Sequence, residues 1–156
     1  MIKDDSENRK LRITKTFNAS VELAWEAWTN PKEIVHWWAP TGFTTTILKM
    51  DVREGEEWLM TLHGPDGKNY PNKSIFREII PLRKIVYEHL NPDFVATVLF
   101  EQKDNKTVMD WSMLFDTAAM RDIVVKTFNA DEGLKQNVEK LENYLSQKHH
   151  NDTASD

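Results

Sequence analysis

The feature that most restricts what this chain can fold into is its middle. From residue 43 to residue 115 strand-length segments follow one another, parted by marked turns, with no helical repeat of apolar residues between them. Residues 43–52, 58–63, 74–80, 85–89, 94–101 and 107–115 read as strands. Gly64-Pro65-Asp66-Gly67 is the strongest turn, because proline presets φ and Gly67 can take a positive φ. Pro81, Asn91-Pro92 and Lys103-Asp104-Asn105-Lys106 mark others. Trp58, Met60 and Leu62 alternate with Leu59, Thr61 and His63, the period-2 pattern of a sheet with two unlike faces. Ala96, Val98 and Phe100 share a face in the same way, as do Met109, Trp111 and Met113. Strands that run together, with helices segregated towards the chain ends, indicate an α+β domain built on an antiparallel sheet.

The flanks supply those helices. Residues 11–17 alternate as a further strand, and Ser20 then stands where a helix cap belongs. Val21, Ala24, Trp25 and Trp28 recur at three- and four-residue spacing and give that helix one buried face. Asn30-Pro31 ends it, and proline, tolerated in a first helical turn, opens a short second helix over residues 32–37. Near the C-terminus Met120, Ile123, Val124 and Phe128 form one apolar stripe, and Leu134, Val138, Leu141 and Leu145 another. Continuing the first stripe in phase would bury Asp131, Glu132 or Lys135, so a break is predicted within residues 129–133, followed by a long helix on the sheet. Residues 1–9 and 148–156 are polar and aperiodic and are expected to be disordered, which leaves one domain over residues 10–147.

Several function classes fall away. The net charge is −5 with no basic run or stripe, which disfavours nucleic acid, since that binding depends on neutralising phosphates. The absence of cysteine excludes disulfides, zinc–thiolate sites and thiol nucleophiles. The charged start MIKDDSENRK has no signal-peptide core, and no window approaches a membrane span, so a cytoplasmic protein without a membrane partner is expected. No serine lies in a nucleophile elbow and H-E-x-x-H is absent. His36, His63 and His89 lack a second ligand at metal spacing; an acid–base role for His63 or His89 requires folding to bring a carboxylate beside it. No catalytic residue, metal site or cofactor is predicted. Glu54, Glu56 and Glu57 read as a solvated turn, and Asp51 and Arg53, two apart, as a structural ion pair.

The aromatic content carries the functional signal, with six Trp and seven Phe. Those on inward faces either pack a core or wall a cavity, and an apolar pocket lined by aromatics is the usual form of a small-molecule site. Trp38, Trp58, Met60, Trp111, Met120 and Phe128 are the wall candidates. If Trp58 borders a partly empty cavity, truncating it to alanine costs less than the roughly 3–5 kcal/mol of a tightly packed ring, and a cost at or above that range argues for plain packing.

Certain motifs also resemble a known family. Residues 17–25 (FNASVELAW), Thr29-Asn30-Pro31 and Trp37-Trp38 resemble the opening of the SRPBCC (START-like, helix-grip) superfamily. Asp51-Val52-Arg53-Glu54-Gly55, Gly64-Pro65-Asp66-Gly67, Glu78-Ile79-Ile80-Pro81, Ala119-Met120-Arg121-Asp122 and Leu141-Glu142-Asn143-Tyr144-Leu145 are similar to the branch related to the C-terminal domain of the Hsp90 ATPase activator. The resemblance runs over about residues 11–147 and implies a β-α-α-β6-α helix-grip (START/Bet v-like) fold, a curved antiparallel sheet around a long C-terminal helix, commonly with a hydrophobic cavity between them. Glu56 stands where the family often has a second glycine, and Leu134 where it has a tryptophan, a change that would enlarge the cavity. The reading favoured is a binding protein for a small apolar ligand, as a monomer or homodimer. The alternatives are a stress- or chaperone-linked interaction protein using its outer surface and, third, a hydrolase or cyclase working inside the cavity.

Overall fold

The structure, a computed structural model, describes residues 6–90 and 93–154. A short 3-10 turn, Ser6–Arg9, leads into β1 (Lys10–Phe17), then α1 (Val21–Thr29) and α2 (Pro31–Ile34). Six strands follow: β2 (Thr44–Met50), β3 (Glu57–His63), β4 (Asn69–Ile80), β5 (Lys84–Leu90), β6 (Phe94–Lys103) and β7 (Lys106–Phe115). Two helices close the chain, α3 (Ala118–Phe128) and α4 (Ala130–Ala154). Regular backbone thus enters both segments expected to lack it, while residues 1–5, 155–156 and the Asn91-Pro92 turn lie outside the described residues.

The seven strands form one sheet in the order β1-β7-β6-β5-β4-β3-β2, every neighbouring pair antiparallel. Five of the pairings are hairpins between consecutive strands; the sixth joins the first strand to the last. Register shifts at Ile47/Lys49 and Phe76/Glu78 interrupt the ladders, and such bulges bend and twist a sheet. β4 begins five residues earlier than the sequence pattern indicates and contains Pro71. β5 pairs with β4 only from Lys73 onward, so around Pro71 one side of β4 is open and the missing N–H costs no ladder bond.

The helix boundaries follow from local chemistry. The Ser20 hydroxyl accepts from the Leu23 amide at 3.3 Å, and Asn30 Oδ1 from the Lys32 amide at 2.9 Å, with Pro31 in the first turn of α2. The predicted break lies at Asn129, whose left-handed conformation (φ 54°, ψ 42°) separates α3 from α4. In α4 Leu134, Val138, Leu141 and Leu145 are all buried, as their spacing requires. The stripe on α3 is only half right: Val124 is buried, but Ile123 is 59% exposed. α3 packs on the β1–β7 edge and on the start of α4, which leaves the rest of its surface to solvent. Gly55 carries the positive φ of its turn (+86°), and Glu56 next to it does not, so the turn accommodates glutamate there. No helix among the described residues is long and apolar enough to cross a membrane.

Candidate functional site

One face of the sheet, covered by α1, the α2 segment and α4, is filled by aromatic rings. Trp58 (β3), Tyr87 (β5), Trp111 (β7) and Trp28 (α1) are each no more than 2% exposed. Trp38, on the irregular stretch between α2 and β2, is half-buried and stands among them. Its ring centroid lies 4.9 Å from Trp58, 5.5 Å from Trp111, 5.6 Å from Trp28 and 6.4 Å from Tyr87. Trp58 also stacks on Phe76 at 5.3 Å, and Trp28 meets Trp111 edge-on at 4.8 Å.

Of the six wall candidates, the structure brings Trp38, Trp58 and Trp111 into one contact group. Met60 is buried in the same core and Met120 is half-buried against it from α3. The side chains of Phe128, His149 and His150 lie outside the described residues. Sequence reasoning passed over Trp28 and Tyr87 as site residues. Tyr87 was recoverable, since it shares parity with the buried Ile85 on β5.

The polar atoms of this interior are the unusual part. Trp37 Nε1 donates to the Ala27 carbonyl at 2.9 Å, as a buried indole ordinarily does. By contrast, Nε1 of Trp28, Trp58 and Trp111 and the hydroxyl of Tyr87 are buried with no hydrogen-bond partner. Burial pushes the Tyr87 phenol well above its usual range; Trp111 alongside lowers it somewhat, without a bond of ordinary geometry. An unpaired buried donor costs about 1–3 kcal/mol, and a native interior holds few of them.

Beside Trp38 the backbone is strained. Ala39 sits at φ +106°, a conformation that disfavours any residue with a Cβ. Two α4 side chains hold it there: Asn137 Oδ1 accepts from its amide at 2.6 Å, and Lys140 Nζ donates to its carbonyl at 2.9 Å.

Among the described residues, two of the surface hollows adjoin the covering helices. One, of about 600 Å³, lies where α1 begins beside the β4–β5 turn and is floored by Phe100, which reaches Trp28 at 6.3 Å. The other, of about 380 Å³, is polar and lies between α2 and α4, lined by His36, Lys140, Asn143, Tyr144 and Gln147. Glu33, 7% exposed, lies beside it and accepts from Tyr144 Oη at 3.0 Å and from Lys148 Nζ, tying α2 to α4. His36 stacks on Tyr144 at 5.7 Å.

That cluster has a measurable signature. Burial, then the hydrogen bond to the Glu33 carboxylate, push the Tyr144 phenol up from 10.0 to about 12. A pKa raised in the folded state means stability that is complete below pH 10 and is lost as pH climbs towards 12. Tyr87 acts in the same direction. Lys140 opposes them, because burial lowers it from 10.5 and the folded state gains stability as that proton leaves. Urea midpoints measured between pH 9 and 11.5 are expected to fall for the wild type and to fall less for Tyr144→Phe. Equal slopes would show that the phenol is not held by Glu33.

The remaining candidates have structural partners. Arg53 forms a two-pronged ion pair with Asp51, as their spacing indicates. His63 Nδ1 and Nε2 meet Asn69 Oδ1 and Thr46 Oγ1, and His89 Nε2 meets Asn72 Oδ1 while its ring stacks on Phe94 at 4.7 Å. Among the described residues no three His, Asp or Glu side chains gather to hold a metal.

Comparison with known proteins places this geometry. Residues 18–146 match the family described as Activator of Hsp90 ATPase homolog 1-like protein. No curated protein matches the sequence. Among solved structures, a protein from Arthrobacter aurescens is similar at a TM-score of 0.86 and 21% identity, over 94% of this chain and 91% of that one. A protein from Nitrosomonas europaea is similar at 0.84 and 19% identity, over 92% and 97%. An AHSA1-like protein from Aeromonas hydrophila is similar at 0.69 and 15% identity, over 89% and 94%. At these identities the likeness establishes the helix-grip fold.

Proposed function

We propose, since the chain belongs to the Activator of Hsp90 ATPase homolog 1-like family, that its sheet and helices hold a small apolar ligand carrying a polar atom, and that it works as a binding protein in the cytoplasm. The observation that carries this reading is that Trp28 Nε1 and Trp58 Nε1 are buried without a partner, and that Trp111 Nε1 and the Tyr87 hydroxyl have only each other, without ordinary geometry, on rings that all touch half-buried Trp38. A core evolved only for packing gains by pairing such groups, or by replacing them with Phe and Leu. A core that receives a guest leaves them for the guest. The hollow above Phe100 is lined equally by polar and apolar surface, with Arg83, Glu101 and Gln102 on its rim, and meets the aromatic group only through Phe100, 6.3 Å from Trp28.

Native mass spectrometry of the protein taken from its own host, followed by solvent extraction, tests this. The expected result is one small apolar molecule per chain. A bare mass from abundant, gently purified protein would count against a resident ligand.

The rival reading, a chaperone-linked protein acting through its outer surface, draws on Val95 and Leu99. They are 40% and 43% exposed and share the outer face of β6. Of the other large exposed apolar residues, Leu48 and Ile123 stand on β2 and α3, and the charged Lys84 lies in register between Leu99 and Ile80 of β4, so the ligand reading has the stronger support.

A further inference from the structure

Lys140 is a half-buried cation without an anion. Three other half-buried lysines, Lys15, Lys84 and Lys148, each stand within ion-pair distance of a carboxylate, Glu142, Glu78 and Glu33 in turn. Among the described residues Lys140 has no such partner; its Nζ donates to the Ala39 carbonyl at 2.9 Å. Burial lowers that ammonium, and no neighbouring carboxylate offsets the water it has lost. A charge drawn partly out of water is stabilised by an opposite charge, and this one lacks it. An ammonium has three N–H donors, so two remain beyond the bond to Ala39.

The side chain of Lys140 lines the hollow between α2 and α4, in the company of other donors. Lys140, Asn143 and Gln147 are spaced i, i+3 and i+7 along α4, which places them on one side of the helix, and His36 lines the hollow from across it. Asn143 and Gln147 each carry an amide NH2, and the ring of His36 has an N–H in either protonation state. None of these three side chains has a hydrogen bond to another described residue. No acidic side chain among the described residues lines the hollow. Glu33, beside it, is taken up by Lys148, Tyr144 and Asn30, and Glu26 accepts from the same Asn30.

We infer that the hollow between α2 and α4 is a binding site for a small oxyanion, a carboxylate or a phosphate, held by Lys140 with the amides of Asn143 and Gln147 and the ring of His36. The site lies outside the aromatic interior, and it stands whether or not an apolar ligand binds there. At about 380 Å³ the space is larger than a bare anion needs and admits a small molecule that carries one.

Wild-type protein titrated at fixed pH with sodium phosphate, sodium acetate and acetamide tests it, with sodium chloride adjusted to keep the ionic strength constant. The side-chain amide resonances of Asn143 and Gln147 and the ring resonances of His36 report binding. At least one oxyanion is expected to shift them to saturation, while acetamide, which has the shape of acetate without its charge, leaves them in place. The tighter of the two shows whether the natural ligand carries a phosphate or a carboxylate. Lys140→Gln removes the charge and is expected to weaken binding about tenfold or more, as loss of a hydrogen bond to a charged group does. Lys140→Arg keeps the charge and should retain most of the affinity. The double variant Asn143→Ala, Gln147→Ala, at two exposed positions of α4, should weaken binding about fivefold.

Shifts that fail to saturate, that acetamide produces equally, or that persist unchanged in Lys140→Gln would mean an adventitious ion only and overturn the site. The absence of any shift with both oxyanions overturns it as well. Should Lys140→Gln not fold, the double variant decides, and unchanged binding there overturns the proposal.

Discussion

Trp58→Ala is expected to lower stability by about 3–5 kcal/mol, the cost of truncating a tightly held aromatic and not the smaller loss expected of a ring that borders a partly empty cavity. Trp58 is 1% exposed and meets three rings, stacked on Phe76 at 5.3 Å, edge-on to Tyr87 at 5.2 Å and against Trp38 at 4.9 Å. Its backbone sits inside the sheet, paired with Met50 on one side and Ser74 on the other, so the walls of the space it leaves cannot close in. For a chain of this length the loss corresponds to a melting point lower by about 6–20 °C. Thermal melts of wild type and variant in the absence of any ligand measure it. A loss below about 2 kcal/mol would mean that the ring borders empty space even with Trp38 in place, and that the unliganded interior is more open than its contacts indicate.

The second large effect is a contrast between two tryptophans. Trp37→Phe and Trp28→Phe remove the same atoms from rings that are 0% and 2% exposed and lie 4.9 Å apart. Trp37 loses a hydrogen bond to the Ala27 carbonyl, whereas Trp28 loses a donor that had no partner. Loss of the paired donor is expected to cost about 1–3 kcal/mol more than loss of the unpaired one. Chemical denaturation of the two variants gives the difference directly, with the slopes compared to confirm that the unfolded states are alike. Equal costs would show that Trp28 Nε1 already has a partner, solvent or a ring face, and the case for a guest acceptor would weaken with it.

Much of this architecture is written locally. The alternation of Trp58 and Met60, or of Met109 and Trp111, fixes which residues face inward, because in a strand the side of every residue follows from its parity. The phase conflict between the two C-terminal stripes located the break at Asn129 to within its neighbours, since a straight helix would have buried charge there. What the pattern could not reach was set by tertiary neighbours. Ile123 is on the apolar stripe of α3 and yet open, because α3 lies across one edge of the sheet and not over its centre. Pro71 reads as a strand breaker, but it belongs to β4 because β5 ends short of it. The site was legible in the same uneven way. Trp58 and Trp111 follow from parity, whereas the central position of Trp38 does not, since it lies on irregular backbone whose direction no period describes. That three indoles lack partners is invisible in a sequence, because it depends on where every neighbouring carbonyl ends up.

The pairing of β1 with β7 has a kinetic consequence. Ile13 lies opposite Trp111 and Phe17 opposite Thr107, so the strand synthesised first has its sheet neighbour in the strand synthesised last. The five hairpins can zip as they emerge, each closing a short loop, but β1 must wait for nearly the whole chain to exist. Until then Leu11, Ile13 and Phe17 present an apolar edge to whatever else is nearby, which is the period in which a nascent β protein is most exposed to aggregation. Docking of the N-terminal strand is therefore expected to be the slow, late step of folding, and a rotated chain order that makes β1 continuous with β7 should shorten it.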